Sequence, residues 1–340
     1  MHNKNQTSDI PKNFRKVMLI GLLLLCVVIL LSIFIGSNLL PVQEVLDALV
    51  GTKENVYNVS LVDKRLARTC FALLCGASLG LSGALMQAVT RNPVADPSIL
   101  GVNTGASLAV VFGIAFLGIQ TQVEYIFLAL IGAALTSLFV YGIGSLGSGG
   151  ATPMKLILAG AATTAALSSM VSALLIPRSF VMDVFRFWQV GSVGSASWAT
   201  VRLLIPFFFS GLMIALVSSP ALNALALGDE AATGLGVKVN KIRFIAAAGG
   251  VLLCAAVTAL AGPIGFIGLL AIHLMRLVLG PNLRITVPLS ALSGAIILTF
   301  SDVIGRLLGS PGELEVGVVT AFIGAPILIL ITMRKKVKQL

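Results

Sequence analysis

The run VMLIGLLLLCVVILLSIFIGS, residues 17–37, holds 21 consecutive residues without a charged side chain. About 20 apolar residues in a helix are enough to span the hydrocarbon core of a bilayer. The run is longer than the apolar core of a usual signal peptide, and no small-x-small cleavage motif follows it before Pro41. We therefore predict a permanent first transmembrane helix here rather than a leader that is removed.

The composition of the whole chain points the same way. Hydrophobic residues make up 57% of the 340 residues and charged residues only 11%, and the mean hydropathy is +1.02. Soluble globular domains carry about 25% charged residues. So few charges exclude a soluble globular domain, because most of this surface cannot face water. The 35 glycines suit close packing of helices in lipid.

Nine further apolar runs predict an all-α, polytopic membrane protein with about ten transmembrane helices in a single domain, 1–340. The seventh and eighth runs are separated only by AGPIGFIG (261–268), which leaves open a broken or re-entrant start to the eighth. Such a start requires that protein or a water-filled cavity satisfies the backbone. The predicted spans are 17–37, 66–89, 98–118, 124–146, 154–176, 200–218, 243–262, 264–280, 285–304 and 316–333.

The basic residues predict which ends of the spans face the cytoplasm. With an even number of spans both termini lie on one side. Placing them inside gives 15 of the 23 lysines and arginines to the inner side and 8 to the outer side, in agreement with the positive-inside rule. The N-terminal tail, about 1–16, and the C-terminal tail, about 334–340, are then cytoplasmic. The net charge of +10 reflects topology and attraction to the lipid bilayer, and we expect no nucleic-acid partner.

The sequence lacks the residues of most catalytic and metal sites. Its four cysteines lie inside apolar runs without metal-ligand spacing, and it has only two histidines, so we expect no metal site and no catalytic residue. No G-x-x-x-x-G-K-[ST] motif is present that would bind the phosphates of ATP. Apart from Asp302, near the end of the ninth span, the spans are almost free of carboxylates, whereas ion-driven carriers usually keep one at mid-membrane. These features indicate a channel, or the membrane half of a multi-subunit machine, and not an enzyme.

Polar residues concentrate in four segments at the span ends. In the first segment, VDKRLARTC (62–70), Arg65 and Arg68 share a helix face at three-residue spacing. They lie on the outer side, although the positive-inside rule favours basic residues on the inner side. They either snorkel to lipid phosphates or form an outward-facing docking pair for acidic groups. The second segment, 88–107, predicts a tight turn whose backbone is fixed by its prolines. The segments are VDKRLARTC (62–70), AVTRNPVADPSILGVNTGAS (88–107), SSPALNALALGDEAATGLGVKVNKIR (218–243) and SDVIGRLLGSPGELEVGVVTAFIGAPILI (301–329).

The third segment, about 219–242, is the longest polar interruption on the inner side. Its pattern predicts a short helix, a glycine turn and a basic run that leads back to the membrane. It is either a plain solvated connector or a lever that a cytoplasmic partner grips. The residues that define the pattern are Gly228, Asp229, Glu230, Ala231, Ala232, Gly234 and Gly236.

These segments, in this order, resemble the iron-siderophore and cobalamin (FecCD-like) family of ABC importer permeases. The stretch SGALMQAVTRNPVADPSILGVNTGA (82–106) is similar to the family's signature between the second and third spans, and LALGDEAATGLGV (225–237) to its coupling loop. The similarity runs from about residue 60 to 330. One departure is Ile272, where the family commonly has a proline before the histidine of the eighth span, so we expect a softer kink there. The remaining matching blocks are AGPIGFIGLLAIHLMRLVLG (261–280), PLSALSGAIILTFSDVIGR (288–306) and ELEVGVVTAFIGAPILI (313–329).

The resemblance implies a transport subunit in the bacterial cell membrane that pairs with a second permease, either the same or a homologous chain. Two ATPase subunits would bind below and grip the coupling loop. They would hold the ATP and Mg²⁺, and this chain would bind no cofactor. An extracytoplasmic substrate-binding protein would dock above, its glutamates meeting the outer arginines Arg65, Arg68 and Arg306. Arginine suits this role because it pairs with carboxylates in a bidentate geometry.

The resemblance also implies that the fifth and tenth spans line the translocation pathway, with help from the third and eighth. Hydroxyls of the fifth span either face the pathway or hydrogen-bond to their own helix. Small residues of the tenth permit close approach, which helix packing explains equally well. The candidates are Thr163, Thr164, Ser168, Ser169, Gly317 and Gly324.

The predicted function is the permease subunit of an ATP-binding cassette importer for a ferric siderophore or related iron chelate. A cobalamin or haem importer of the same family is the first alternative. An ion-coupled secondary carrier and a membrane scaffold that transports nothing are the others. The sequence itself does not name the cargo, because in such systems the binding protein selects it.

Overall fold

The computed structural model describes residues 13–38, 40–50, 56–147 and 150–337. Regular secondary structure in these ranges is helical, and no strand occurs in them. Their thirteen α-helices are α1 (Phe14–Phe34), α2 (Val42–Val50), α3 (Val56–Thr90), α4 (Val102–Phe112), α5 (Gln122–Gly144), α6 (Pro153–Leu175), α7 (Ser179–Gln189), α8 (Trp198–Leu225), α9 (Asp229–Gly234), α10 (Val239–Ala261), α11 (Ile267–Leu279), α12 (Leu283–Leu308) and α13 (Val316–Val337).

Ten of these helices correspond one to one with the ten predicted spans. Seven are long and apolar enough to cross a membrane: α1, α3, α5, α6, α8, α10 and α12. The other three are shorter apolar helices, namely Val102–Leu117, in which α4 continues into a π-helical turn, Ile267–Leu279 and Val316–Ile329. The all-α, polytopic fold is therefore confirmed. We keep the names outer and inner for the two ends that the basic residues predict to face outside and the cytoplasm.

Two helix boundaries differ from the prediction by more than five residues. The second span was predicted at 66–89, but α3 begins at Val56, so Arg65 and Arg68 lie within the helix instead of at its start. The sixth was predicted to end at 218, but α8 continues to Leu225 with two prolines inside it. Membrane helices tolerate proline because neighbouring groups satisfy the freed backbone. The inner connection between α8 and α10 is therefore shorter than the predicted 219–242.

The helical structure is interrupted between α10 and α11. This is the place where the sequence left open whether the eighth span begins with a broken helix. The two helices are joined by the non-helical residues 262–266, and Phe266 adopts a left-handed conformation with φ of 69°. The last carbonyl of α10, on Ala261, accepts a hydrogen bond from Ser192 N–H at 2.7 Å. Protein thus satisfies the backbone at this break. Ile272 is buried in α11, which runs through it without interruption.

Helix α3 is the centre of the bundle. Its most apolar window is 83% buried, against 17% for α1. Three of its glycines lie against the backbone of neighbouring helices: a Cβ at Gly76 would overlap the carbonyl of Gly294 in α12, and one at Gly83 would overlap the backbone of Gly268 in α11. Gly80 lies in the same way against Ser290 of α12. Close backbone approach at small residues is the usual means of helix association in lipid.

We expect Gly83→Ala to lower the free energy of unfolding by about 1–3 kcal/mol, because the added methyl overlaps the α11 backbone and forces the two helices apart. The matched control is Gly142→Ala in α5, where a Cβ meets open space, and where the loss of glycine in a helix should leave stability unchanged or slightly higher. Thermal unfolding of the two variants in the same detergent checks this. Equal melting temperatures would show that the contact does not hold α3 to α11.

Candidate functional site

The outer end of α1 is closed by arginine side chains from other helices. The last carbonyls of a helix have no partner within it, and α1 ends at Phe34. Arg65 of α3 donates from Nη1 to the carbonyls of Ile33 at 3.1 Å and Phe34 at 3.3 Å, and from Nη2 to the carbonyl of Asn38. Gly36 leaves room for this guanidinium, because a Cβ there would overlap it. Arg65 is consequently buried and occupied by main-chain oxygens.

Arg306 of α12 completes the closure of α1. Its Nη1 donates to the carbonyls of Ser32 and Ile35, both at 2.9 Å, and its Nη2 donates to the hydroxyl of Ser32 at 2.8 Å. The side chain is buried. A positive charge at the carbonyl end of a helix is favourable because the aligned peptide dipoles place negative partial charge there.

Asp302 of α12 pairs with Arg68 of α3 and with Arg306 of α12. Its carboxylate accepts from Arg68 Nη2 at 2.7 Å and Arg68 Nε at 3.1 Å, and lies 3.0 Å from Nη2 of Arg306 one turn along α12. Only 2% of the Asp302 side chain is exposed. Removing one partner of a buried pair costs about 3–5 kcal/mol, because the remaining charge stays buried without compensation.

Glu313 is the second carboxylate that pairs with Arg68. Its Oε2 lies 2.7 Å from Arg68 Nη1, and its Oε1 accepts from the Ser37 hydroxyl at 3.1 Å. Burial opposes ionisation, but the hydrogen bond and charge of Arg68, with help from Ser37, lower the pKa of the Glu313 carboxyl below its ordinary value. The side chain is 36% exposed, against 12% for Arg68. Glu313 is therefore the member of this group that solvent reaches most easily.

We call Arg65, Arg68, Asp302, Arg306 and Glu313 the outer arginine cluster. Three arginines and two carboxylates leave it with one net positive charge. The cluster borders an open pocket of about 460 Å³ at the outer end, and residues 194–198 form another wall of it. On that wall Trp198 Nε1 donates to Asp63 of α3 at 2.9 Å.

The structure thus brings the three predicted docking arginines together, but it gives each of them an internal partner. Sequence reasoning noted Asp302 without its partners and did not single out Glu313. The four-residue spacing of Asp302 and Arg306 was a signal for the first pair. No local pattern connects either carboxylate with Arg68, which is more than 200 residues away. Docking by Arg65, Arg68 and Arg306 stays a prediction.

At the inner end a second aspartate also lies between two arginines. Asp229, the first residue of α9, accepts from Arg243 Nη2 of α10 at 3.0 Å and from Arg91 at the end of α3. Arg243 is fully buried, and its Nη1 donates to the carbonyl of Ala151, just before α6, at 2.7 Å. We call Arg91, Asp229 and Arg243 the inner aspartate bridge.

The loop that contains Asp229 has the predicted local structure. The short helix α9 is bounded by Gly228 and Gly236, which have φ of 118° and 82° and so occupy conformations that favour glycine. Ala232 is the buried residue of α9, whereas Glu230, Ala231 and Gly234 are exposed. Leu227 and Leu235 flank the helix as exposed large apolar side chains. Contact of this loop with an ATPase stays a prediction.

The predicted pathway residues lie in two helices, with the four hydroxyl residues in α6 and the two glycines in α13. In α6, Thr163 is buried and Thr164 partly buried, whereas Ser168 and Ser169 are exposed. The Ser169 hydroxyl donates to its own helix, at the carbonyl of Ala165, at 2.9 Å.

The two glycines of α13 lie in packing contacts. The N–H of Gly317 donates to the carbonyl of Gly191 at 3.0 Å, and a Cβ at Gly317 would overlap the carbonyl of Val190. Gly324 lies against the side chain of Phe266. These contacts fit the packing alternative for the glycines, and pathway lining by all six residues stays a prediction.

Metal-binding geometry is not found in the described residues. No three histidine, cysteine, aspartate or glutamate side chains in this part of the chain lie close enough to hold a metal ion. The four cysteines are free thiols.

Comparison with known proteins gives a consistent result over nearly the whole chain. The sequence profile of the FecCD transport family matches residues 24–334. The chain is 44% identical over 315 residues to the ferric enterobactin transport system permease protein FepD of Escherichia coli (strain K12). The aligned region covers 92% of this chain and 94% of that protein. It is 41% identical over 307 residues to the Fe(3+)-citrate import system permease protein YfmD of Bacillus subtilis (strain 168), with coverage of 89% and 90%.

Solved structures share the fold. One, described as an inward-facing conformation of a putative metal-chelate type ABC transporter, matches with a TM-score of 0.82 at 28% sequence identity and covers 94% of this chain and 99% of that chain. PsaBC from Streptococcus pneumoniae in complex with Fab matches with a TM-score of 0.56 at 12% identity. The second likeness is one of fold alone.

We expect Asp302→Asn to destabilise the folded protein by about 3–5 kcal/mol, because Arg68 and Arg306 lose the carboxylate that compensates them in a buried position. The matched control is Asp183→Asn in α7. Asp183 lies 3.6 Å from Arg186 in an exposed pair, and such pairs contribute about 0–1 kcal/mol. Thermal unfolding in detergent measures both, and a loss for Asp302→Asn no larger than that for Asp183→Asn would contradict the stabilising role.

Proposed function

Because the chain belongs to the FecCD transport family, we propose that it is the permease subunit of an ATP-driven importer that carries a ferric siderophore into the cytoplasm. The observation that supports this cargo is the likeness, over about nine tenths of both chains, to permeases named for ferric enterobactin and ferric citrate. A third relative at 39% identity is a probable siderophore permease of Bacillus subtilis (strain 168). Cobalamin and haem remain the alternative cargoes.

The energy would come from a separate ATPase, and not from an ion gradient. Ion-coupled carriers use an intramembrane carboxylate that can gain and lose its ion. Asp302 is the buried carboxylate of the described spans, and two arginines hold it. A partner that binds MgATP would instead act on the exposed loop around α9, where Leu227 and Leu235 offer apolar contact on the cytoplasmic side.

A second permease, the same or a homologous chain, would complete the translocation pathway. The apolar window of α6 is only 17% buried, and its open face carries Ser168 and Ser169 among small residues. The Ser169 hydroxyl is satisfied within its own helix, but the Ser168 hydroxyl is better placed against protein or water than against lipid tails. We therefore propose that α6 faces the pathway in the paired assembly, with both chain termini in the cytoplasm.

An extracytoplasmic binding protein would dock over the outer pocket. The outer arginine cluster has one net positive charge, so an acidic group of the partner is attracted to it. Arg65 and Arg306 are occupied by main-chain carbonyls, and Arg68 is the arginine whose partner is partly exposed. We propose that a carboxylate of the binding protein replaces Glu313 on Arg68 when the two proteins meet.

Reconstitution tests the proposed function. The chain is placed in liposomes with its candidate ATPase and binding protein, and uptake of radiolabelled ferric enterobactin, ferric citrate and a ferric hydroxamate is compared with that of cobalamin and haem. We expect uptake of a ferric chelate that requires both partners and ATP. Uptake that proceeds without the ATPase, or that an ion gradient drives, would overturn the proposal, and uptake of only cobalamin or haem would correct the cargo.

The docking proposal predicts that Glu313→Gln strengthens binding of the binding protein. Removing the internal competitor for Arg68, a partly exposed pair, should raise affinity roughly two- to fivefold. The control is Glu315→Gln, which removes the same charge from the same loop, at a residue without an ion pair in the described part of the chain. Affinity for permease-containing vesicles at low salt measures both. Equal affinities for the two variants would count against exchange at Arg68.

A further inference from the structure

In the described part of the chain, the side-chain ion pairs that connect α9 with the spans all involve one residue. Ala232 attaches α9 by apolar burial, and the hydroxyl of Thr233 donates back to the carbonyl of Asp229 within the helix. Among the described residues, the ion pairs of α9 with other helices are those of the Asp229 carboxylate with Arg243 and Arg91.

We propose that Asp229 is the positioning residue that transmits movement of α9 to the spans. Through Arg91 it is tied to the inner end of α3, through Arg243 to the first turns of α10, and through the bond from Arg243 to Ala151 it is tied to the turn that precedes α6. A displacement of α9 by the ATPase therefore reaches three spans at once. This inference rests on the proposed function, because it requires a partner that moves α9.

The burial of Arg243 makes this connection stiff. Its side chain is 1% exposed, its Nη atoms have the carboxylate of Asp229 and the carbonyl of Ala151 as partners, and its Nε has no hydrogen-bond partner among the described residues. Moving α9 away without α10 would leave a buried guanidinium without a counter-charge, which is strongly unfavourable. The aspartate and α10 therefore move as a unit.

Arg91 provides a second and more adaptable hold. Its side chain is 32% exposed, and its backbone has φ of 49° where α3 ends. Because α3 is the buried centre of the bundle, a pull on its inner end is passed to the helices that lie against it. The bond to Ala151 acts on α6, which carries the predicted pathway residues Thr163 and Thr164.

The experiment compares Asp229→Asn with the wild type in the complete complex of permease, ATPase and binding protein in liposomes. Both ATP hydrolysis and uptake of a ferric chelate that the wild type carries are measured. We expect hydrolysis to stay within about twofold of the wild type, while cargo carried per ATP hydrolysed falls roughly tenfold, a typical magnitude for a lost coupling between two sites. A purely stabilising role would lower both rates together and leave their ratio unchanged.

Asp96→Asn is the matched control at the inner end. Asp96 accepts from the Ser98 N–H at 2.9 Å to cap a short helical turn, a role that asparagine fills equally well. Burial raises the pKa of this carboxyl, so an amide replaces it at little electrostatic cost. We expect the ratio of transport to hydrolysis to be that of the wild type.

A second variant keeps the proposal testable if Asp229→Asn does not assemble. Arg91→Gln lies at the more exposed end of the bridge and should lower the same ratio. In the double variant the two effects should not add, because Asp229→Asn already removes the ion pair with Arg91. An unchanged ratio in Arg91→Gln together with an unchanged ratio or a failed assembly in Asp229→Asn overturns the inference. If the wild-type complex itself shows no ATP-dependent uptake, the proposed function fails instead.

Discussion

In the hydrocarbon of a bilayer every main-chain N–H and C=O must find its hydrogen-bond partner within the protein, and the rest of this structure follows from that constraint. Helices satisfy it along their length and leave it unmet at their ends. The outer end of α1 shows the consequence, since Arg65 and Arg306 reach over from α3 and α12 to bond its last carbonyls. The break at 262–266 obeys the same constraint through the bond from Ser192 to Ala261.

Arginines at both ends of the helices place positive charge in buried positions, and aspartates compensate that charge. Asp302 compensates Arg68 and Arg306 at the outer end, and Asp229 compensates Arg91 and Arg243 at the inner end. Helix α3 contributes Arg65 and Arg68 to the outer group, and Arg91 of the inner group directly follows its last residue, so α3 is tied at both ends while its glycines lie against α11 and α12 along its length. The central helix is thereby connected to both faces on which partner proteins of an importer act.

The two groups differ in a way that matters for transport. In the outer arginine cluster the most exposed member is Glu313, the residue that we propose a carboxylate of the binding protein replaces. In the inner aspartate bridge the carboxylate itself lies on the short loop helix α9, and the buried charge of Arg243 is on the span α10. The first arrangement suits reversible docking, and the second suits the transmission of force.

The sequence by itself determined the class of protein, the order of its apolar helices and the family. Apolar runs of about 20 residues and the distribution of basic residues are local or summed properties, so α1, α5 and α6 were predicted to within a few residues. The short helix in the inner loop was also predicted, because Gly228, Gly234 and Gly236 punctuate it.

Only the tertiary structure decided what the polar residues do. Arg68 meets Glu313 across 245 residues of sequence, and Arg91 meets Asp229 across 138, and no periodicity relates residues so far apart. The predicted start of the second span at residue 66 missed Val56 because the charged residues 63–65 end the apolar run in the sequence. In the structure the helix continues through them, and Arg65 is buried against the last carbonyls of α1. The sequence specifies each helix through its own solvent preference, whereas the partners of a buried charge depend on which helix ends folding brings together.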